Sequence, residues 1–189
     1  MVEFALVLPL FLILLIGVME FGFMFNALNS VNYATRDAAL IAAEAGNNSA
    51  ANCAIIKQVF ADLGAPTNWS QVTGIRIYLA DVNGNGANGS RVDVFTSGST
   101  TTCVTGQDSL GHDITTVYPV SASSSTYPPS QRCNILAGCP SLNRTGIDTI
   151  GVAVSYQYAW HTPLGNLVSG LTSAPLLTKS NAFRMEPVL

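Results

Sequence analysis

Only 10% of the 189 residues are charged, well below the roughly 25% of ordinary soluble domains, while 48% are hydrophobic. The net charge is −3 and no basic cluster occurs, which argues against nucleic acid as a partner and against electrostatic binding to anionic lipid. The length allows one soluble domain with its own core beside one long apolar helix. A surface so poor in charge suits a subunit that is buried among copies of itself.

The first predicted element is an apolar helix over residues 1–25. No charged residue occurs from Phe4 to Met19. A helix from Val2 to Phe25 would be about 36 Å long, which is enough to cross a bilayer core of about 30 Å. Signal anchors carry Lys or Arg before the apolar run, whereas the first such residue here is Arg36. We therefore expect that a basic leader has been removed by a peptidase that cuts before the apolar run and leaves it in the mature protein.

Sequence motifs at both ends of the chain resemble one family. V-E-F-A-L-V-L-P at residues 2–9 and G-V-M-E-F-G at residues 17–22 resemble the opening of the TadE-like pilins and pseudopilins of tight-adherence systems. V-S-Y-Q-Y at 154–158, T-P-L at 162–164 and F-R-M-E-P at 183–187 resemble the closing strands of that family. The resemblance implies a subunit of a type IV pilus-like filament. Such a subunit sits in the inner membrane before assembly, is clipped by a prepilin peptidase, and is extruded by the pilus assembly machinery into a helical homopolymer.

Three residues of the apolar helix are predicted to act in assembly. A carboxylate in hydrocarbon costs about 2.5–3.5 kcal/mol, so Glu3 should be paired. The resemblance implies pairing with the N-terminal amine of an adjacent subunit, and the alternative is a favourable interaction with the helix dipole. Pro9 removes one helical hydrogen bond and is either an ordinary kink or a weak point that melts during packing. Glu20 needs a separate partner, for which Asn26 or a polar group of a neighbouring helix are the candidates.

The helix is predicted to continue to about residue 45, because apolar residues recur there at helical spacing. These residues are Leu28, Val31, Ala34, Ala38, Ile41 and Ala45. A second helix is predicted over residues 51–63, where Gly64 and Pro66 end the pattern. We divide the chain into a membrane or filament-core helix at 1–25, its amphipathic continuation at 26–45, and an extracellular pilin-type domain at 46–189.

After residue 70 the period of the apolar residues changes to two, which predicts strands with one buried face. The clearest runs are 75–79, 91–95, 150–158 and 176–186. The predicted class is α+β, with a small antiparallel sheet packed on the amphipathic half of the first helix. Residues 96–146 are rich in Ser, Thr, Gly and Pro and are expected to form a long loop region with one short strand near 113–120.

Four cysteines in the soluble part indicate disulfide bonds in an oxidising compartment. Three pairings are possible; closeness in sequence favours Cys133–Cys139, which leaves Cys53–Cys103. A zinc site is the alternative, but the chain has no C-x-x-C spacing and neither histidine lies near a cysteine in sequence.

One motif suggests a metal. Residues 81–86 fit D-x-[DN]-x-[DN]-G, the first half of a calcium loop, with Asp81, Asn83 and Asn85 as oxygen donors. Position twelve of the loop is Val92, and Asp93 follows as the candidate that could take the place of the usual glutamate. The alternative is an Asn/Gly-rich hairpin tip between two strands, which explains the same residues without a metal.

No catalytic motif is found, so we expect no enzymatic activity and, apart from possible calcium, no cofactor. Two functions remain open. The first is a structural subunit of a Tad-type filament that serves adhesion. The second is a membrane-anchored extracytoplasmic binding protein, or a minor pseudopilin that does not form the shaft.

Overall fold

The computed structural model describes residues 2–64, 67–86, 91–135, 139, 146–163 and 174–186, without the side chains of Val2, Glu3 and Ala5. In chain order the elements are α1 Val2–Ala45, α2 Ala51–Asp62, β1 Val72–Ala80, β2 Val92–Gln107, β3 Asp113–Ser125, β4 Thr149–Gln157 and β5 Leu176–Arg184. Short 3-10 turns span Trp69–Gln71 and Pro129–Gln131. We call the described residues from Gly46 to Glu186 the head domain.

Helix α1 is continuous through Pro9 and ends at Ala45, followed by Gly46 with φ 58°. Glycine adopts this left-handed conformation without steric cost, which explains the stop. The buried face of the second half of α1 is made mainly of small residues: Ala27, Val31, Ala34, Ala38, Ala39, Ala42 and Ala43. This face packs on α2, β4 and β5. Because alanine has only a Cβ, the helix can approach the sheet closely there.

The five strands form one sheet in the order β3-β2-β1-β4-β5, and every neighbouring pair is antiparallel. The alternating apolar residues of the central strands β1 and β4 face the helices and are fully buried: Ile75, Ile77, Ile150, Val152 and Val154. The predicted α+β class, with a long N-terminal helix on an antiparallel sheet, is confirmed.

The expectation of a long loop at residues 96–146 is wrong for much of that range. Strand β2 continues to Gln107 and pairs with β3, which runs to Ser125, so these residues form a long two-stranded arm. The pairing is irregular between Ser97 and Thr101, and Gly98 has φ 108°. Most side chains of the arm are exposed on both faces, so the apolar alternation that marks a half-buried strand is absent from the sequence.

The arm packs on α2. The rings of Phe60 and Tyr118 stack with centroids 5.2 Å apart, and Lys57 Nζ donates to the carbonyl of Thr105 at 3.3 Å. The disulfide bond Cys53–Cys103 joins the first turn of α2 to the arm. These contacts hold an otherwise exposed hairpin against the head domain.

A buried polar network lies between α2 and the sheet. Arg132 is fully buried and donates through Nη2 to Asn52 Oδ1, to the carbonyl of Tyr127 at 3.3 Å and to Asp93 Oδ2 at 3.5 Å. Burial lowers the pKa of Arg132, while Tyr127, Asp93 and Asp148 act to raise it. The network ties three segments that are far apart in sequence, since a buried guanidinium must find hydrogen-bond acceptors wherever the fold supplies them.

The structure contains two disulfide bonds, Cys53–Cys103 with Cα atoms 5.5 Å apart and Cys133–Cys139 with Cα atoms 4.3 Å apart. These are the two pairings favoured by closeness in sequence. They close loops of very different length, with sequence separations of 50 and 6.

The difference in loop length predicts a difference in stability. On the chain-entropy model, replacing Cys53 and Cys103 by Ala lowers the free energy of unfolding by about 4 kcal/mol, and replacing Cys133 and Cys139 lowers it by about 2 kcal/mol. Denaturant unfolding of the full chain in detergent measures both double variants. Equal losses, or a larger loss for the short loop, would contradict the prediction.

Candidate functional site

The N-terminal half of α1 carries most of the large exposed apolar side chains among the described residues. Leu6 is 76% exposed, Phe4 and Leu10 are 70% exposed, and Phe21 is 64% exposed. Large apolar side chains so open to solvent mark a surface that another apolar phase covers. Among the described residues, α1 is the one helix long and apolar enough to cross a membrane. We call residues 2–19 of α1, which precede Glu20, the bare half of the helix. Its exposed side chains are the candidate assembly surface.

Glu20 marks the place where the head domain first covers the helix. It is only 2% exposed, although it lies on a helix whose neighbouring residues Met19 and Phe21 are exposed. Its Oε1 accepts hydrogen bonds from Tyr158 Oη at 2.6 Å and from the backbone N–H of His161 at 3.1 Å. Its Oε2 accepts from the backbone N–H of Thr162 at 2.9 Å. We call this set of bonds the Glu20 clamp.

The segment that forms the clamp directly follows β4, so the sheet positions it. Tyr158 is buried and its backbone N–H donates to Pro175 just before β5. Burial, and then the adjacent carboxylate of Glu20, raise the pKa of Tyr158 well above its usual value, so the hydroxyl keeps the proton that it donates. His161 Nδ1 lies 3.2 Å from Tyr158 Oη. Since that hydroxyl donates to Glu20, Nδ1 of His161 carries the hydrogen and donates to Tyr158.

Aromatic rings surround the clamp. Phe23 lies against His161 with ring centroids 5.1 Å apart, and Tyr158 meets Trp160 edge-on at 5.9 Å. Beside Glu20, an open apolar groove of about 170 Å³ is lined by Gly17, Glu20, Phe21, Met24 and Trp160. The Glu20 carboxylate thus lies among aromatic and aliphatic side chains.

The structure places the three predicted assembly residues on one helix. Pro9 is exposed within the bare half of α1. Glu3 belongs to α1 by its backbone, and its side chain lies outside the described part of the structure. Glu20 has its hydrogen-bond partners in the head domain, whereas Asn26, the partner considered from the sequence, is exposed.

Three of the four predicted calcium ligands, Asp81, Asn83 and Asn85, lie in one turn and line a common cavity, whereas Asp93 lies apart from them. Asp81 Oδ1 accepts the backbone N–H groups of Asn83 at 2.8 Å and Asn85 at 2.9 Å, which is the bonding of a hairpin turn. Asp93 lies opposite Ile77 in the sheet, so it is about 13 Å along the strand from Asp81 at 3.3 Å per residue. Its carboxylate is buried and bonded to Arg132. The prediction that Asp93 is a ligand of this turn is therefore wrong. Asp93 lies within a paired strand, away from the turn, and is not part of one continuous loop with Asp81.

The described residues contain no group of three or more His, Cys, Asp or Glu side chains that could hold a metal ion. His112 lies at the tip of the β2–β3 arm, where Nδ1 is 3.1 Å from Asp108 Oδ2 and both residues are exposed. This pair closes the turn, since Asp108 also accepts the backbone N–H groups of Leu110 and His112 at 2.8 Å.

Sequence reasoning missed Tyr158, His161 and Thr162 as partners of Glu20. They lie about 140 positions further along the chain, and no local pattern relates them to it. One signal was present. The motifs at 154–158 and 162–164, which carry the family resemblance at the C-terminal end, contain the clamp residues Tyr158 and Thr162, and the motif at 17–22 contains Glu20. Motifs from the two ends of the sequence meet at one site.

The clamp predicts a local change in hydrogen exchange. In Glu20→Ala, the amide protons of His161 and Thr162 lose their acceptor, and we expect them to exchange about tenfold faster or more, because bonds to a charged group contribute about 1.5–3 kcal/mol. Glu20→Gln, which keeps one acceptor oxygen, should show a smaller increase. Hydrogen–deuterium exchange of the full chain in detergent makes the measurement, with Met19→Ala on the exposed side as the matched control. Unchanged exchange in Glu20→Ala would show that other contacts hold this segment.

Comparison with known proteins bears on the same helix. No curated protein and no solved structure matches the chain. Residues 1–40 match the family model described as TadE, TadE-like protein. The match covers the bare half of α1, the Glu20 position and most of the face that packs on the sheet, and it agrees with the resemblance carried by the N-terminal motifs. The match to the TadE-like family model is thus confined to this N-terminal segment, about a fifth of the chain.

Proposed function

We propose that this protein is a structural subunit of a Tad-type, pilus-like extracellular filament, that it assembles through α1, and that the filament serves adhesion. The observation that carries the proposal is the division of α1 into a bare apolar half and a half that is buried in the head domain. The TadE-like match over residues 1–40, which links the chain to pilus systems in general, supports it.

The bare half of α1 is stable in two environments. One is a lipid bilayer, and the other is a bundle of the same helices. Movement between them costs little hydrophobic energy, because lipid tails and leucine side chains are equally apolar; packing contacts between the helices then favour the bundle. A filament subunit uses both environments in turn, first the inner membrane and then the filament core.

The head domain suits the outside of such a filament. It carries two disulfide bonds, which are typical of proteins that function in an oxidising compartment. Its low content of charge is compatible with contacts between adjacent subunits. We therefore propose an extracellular head, processing by a prepilin peptidase, and extrusion by a pilus assembly machinery. The role is structural rather than catalytic, and the partners are copies of the same chain rather than nucleic acid.

The alternative is a membrane-anchored binding protein, or a minor pseudopilin, whose head faces the same compartment without forming a shaft. The bare helix supports this reading equally, since one apolar helix also suffices as an anchor. Electron microscopy of sheared surface material distinguishes the two: filaments composed mainly of this chain support the shaft subunit, and their absence with the protein retained in the membrane supports the anchor.

Helix packing in the filament core predicts an effect of two exposed residues. The double variant Phe11→Ala/Leu14→Ala should still insert into the membrane, since the helix remains apolar. We expect the yield of sheared filaments to fall about tenfold or more, because a loss of about 1.4 kcal/mol in packing energy is a factor of ten. The matched control is Val104→Ala/Leu110→Ala, which removes from the β2–β3 arm apolar residues that are at least as exposed. A normal yield of the helix variant, or an equal loss in the control, would count against assembly through α1.

Charge at the start of the helix predicts a separate effect. Glu3→Gln keeps the shape of the side chain and removes its charge. Membrane insertion should be unchanged. If the carboxylate pairs with an adjacent subunit, the filament yield should fall sharply. Membrane fractionation and the yield of sheared filaments measure the two steps in one culture. If the variant assembles as well as the parent, Glu3 does not set the register between subunits and only complements the helix dipole.

A further inference from the structure

We propose that the head domain docks on the lipid–water interface while α1 is embedded in the membrane. The docking surface is an aromatic rim, defined as Phe21, Phe23 and Phe25 of α1 with Trp160 and His161 of the clamp segment. The inference rests on the membrane-embedded stage of the proposed function, and it adds a second contact with lipid, made by the head domain itself.

The Glu20 clamp determines how far the rim lies from the centre of the membrane. The clamp holds residues 158–162 against α1 at Glu20, so the head domain cannot lie further from the membrane than this point of the helix. Below it, the helix from Val2 to Met19 is about 27 Å long at 1.5 Å per residue. A bilayer has a hydrocarbon core of about 30 Å and an interfacial layer on each side. A helix that fills the core with its bare half therefore places Glu20 and Trp160 at the boundary between hydrocarbon and headgroups.

The chemistry of the rim matches that boundary. Tryptophan is enriched in the interfacial layer. In the rim, His161 is exposed and supplies a polar ring, whereas Trp160 is partly buried with its Nε1 enclosed, so Trp160 contributes ring surface rather than a hydrogen bond to headgroups. The helix has no charged residue between Glu20 and Arg36, which lies about 24 Å further along the axis. Glu20 itself is hydrogen bonded and 2% exposed, so the rim can enter the headgroup layer without exposing a carboxylate to it.

The arrangement around the helix favours lipid over a single neighbouring helix. Successive residues turn by 100°, so Phe21 and Phe25 lie on one side of α1 while Phe23 lies near the opposite side, where it contacts His161. All three are exposed, at 64%, 56% and 39%. A partner helix covers one stripe, whereas an interfacial lipid layer surrounds the helix. Aromatic side chains on both sides of the helix at the same depth fit a lipid layer that surrounds the helix.

Depth-dependent fluorescence quenching tests the inference, because the chain has two tryptophans. Trp69→Phe leaves Trp160 as the reporter of the rim. In a background that also carries Trp160→Phe, Phe11→Trp reports the middle of the bare helix, and Tyr33→Trp reports exposed helix surface about 20 Å above Glu20. The full chain is reconstituted in phosphatidylcholine vesicles that carry bromine either near the glycerol end of the acyl chain (shallow) or near its methyl end (deep).

We expect the ratio of shallow to deep quenching to be above one for Trp160 and below one for the Phe11→Trp reporter, and we expect neither lipid to quench the Tyr33→Trp reporter. If Trp69→Phe prevents folding, the difference between the parent chain and Trp160→Phe isolates the Trp160 signal. In Glu20→Ala, loss of the clamp should reduce the shallow quenching of Trp160 and leave quenching of the helix reporter unchanged.

Three results would overturn the inference. If Trp160 is not quenched by either lipid while the Phe11→Trp reporter is quenched by deep bromine, the helix is embedded and the head domain stands away from the surface; the membrane stage of the proposed function then survives. If the Phe11→Trp reporter is also unquenched, both the membrane stage and the docking of the rim are wrong. Quenching of the Tyr33→Trp reporter as strong as that of Trp160 would place the interface higher on the helix and would exclude the rim as the docking surface.

Discussion

The whole structure depends on how the head domain holds a helix that cannot be left in water. The decisive contact is the Glu20 clamp, because a carboxylate on an apolar helix must find donors, and here the donors come from the segment after β4. A second polar contact lies further up, where Asn181 Nδ2 donates to Thr35 Oγ1 at 2.8 Å. Together with the close packing of the alanine-rich face, these directional bonds specify the position of α1 along the sheet. The length of bare helix is thereby set by specific hydrogen bonds.

Where α1 packs on the sheet, the helix contributes small side chains and the rest of the core contributes large ones. The buried face of the helix is mostly alanine, and the bulk of the core comes from the sheet and from α2, with Tyr156, Phe60 and Met185 among the fully buried side chains. Large side chains on α1 point outward instead: Tyr33 is 60% and Leu40 is 45% exposed. In a soluble monomer the larger apolar residues of an amphipathic helix face the core. This arrangement is compatible with the proposed assembly through α1, in which the outer face of the helix would also be covered.

Sequence reasoning succeeded where a periodic pattern is produced by burial. The apolar composition of residues 1–25 reflects an exposed apolar helix, and the helical spacing up to Ala45 and the alternation around Ile75–Leu79 and Ile150–Tyr158 each reflect one buried surface. It failed where contacts are non-local. The β2–β3 arm is exposed on both faces and gives no alternation, and Asp93 looked close to Asp81 along the chain although the sheet separates them. The partners of Glu20 could not be derived from spacing, since nothing local relates helix residue 20 to residues 158–162.

The clamp and the arm divide the molecule into parts with different constraints. The clamp needs a hydroxyl, two backbone N–H groups and a carboxylate in fixed positions. Replacing Tyr158 by Phe removes a donor from a buried carboxylate, and replacing Glu20 leaves the donors without their acceptor; both cost more than a surface change. The arm is attached through α2 by Cys53–Cys103 and by the stacked rings of Phe60 and Tyr118, and its tip carries exposed Leu110. Because the arm is anchored at its base, its outer residues can change without moving the sheet that positions the clamp. In the proposed filament, subunits can therefore present altered surfaces while the helix and its attachment stay the same.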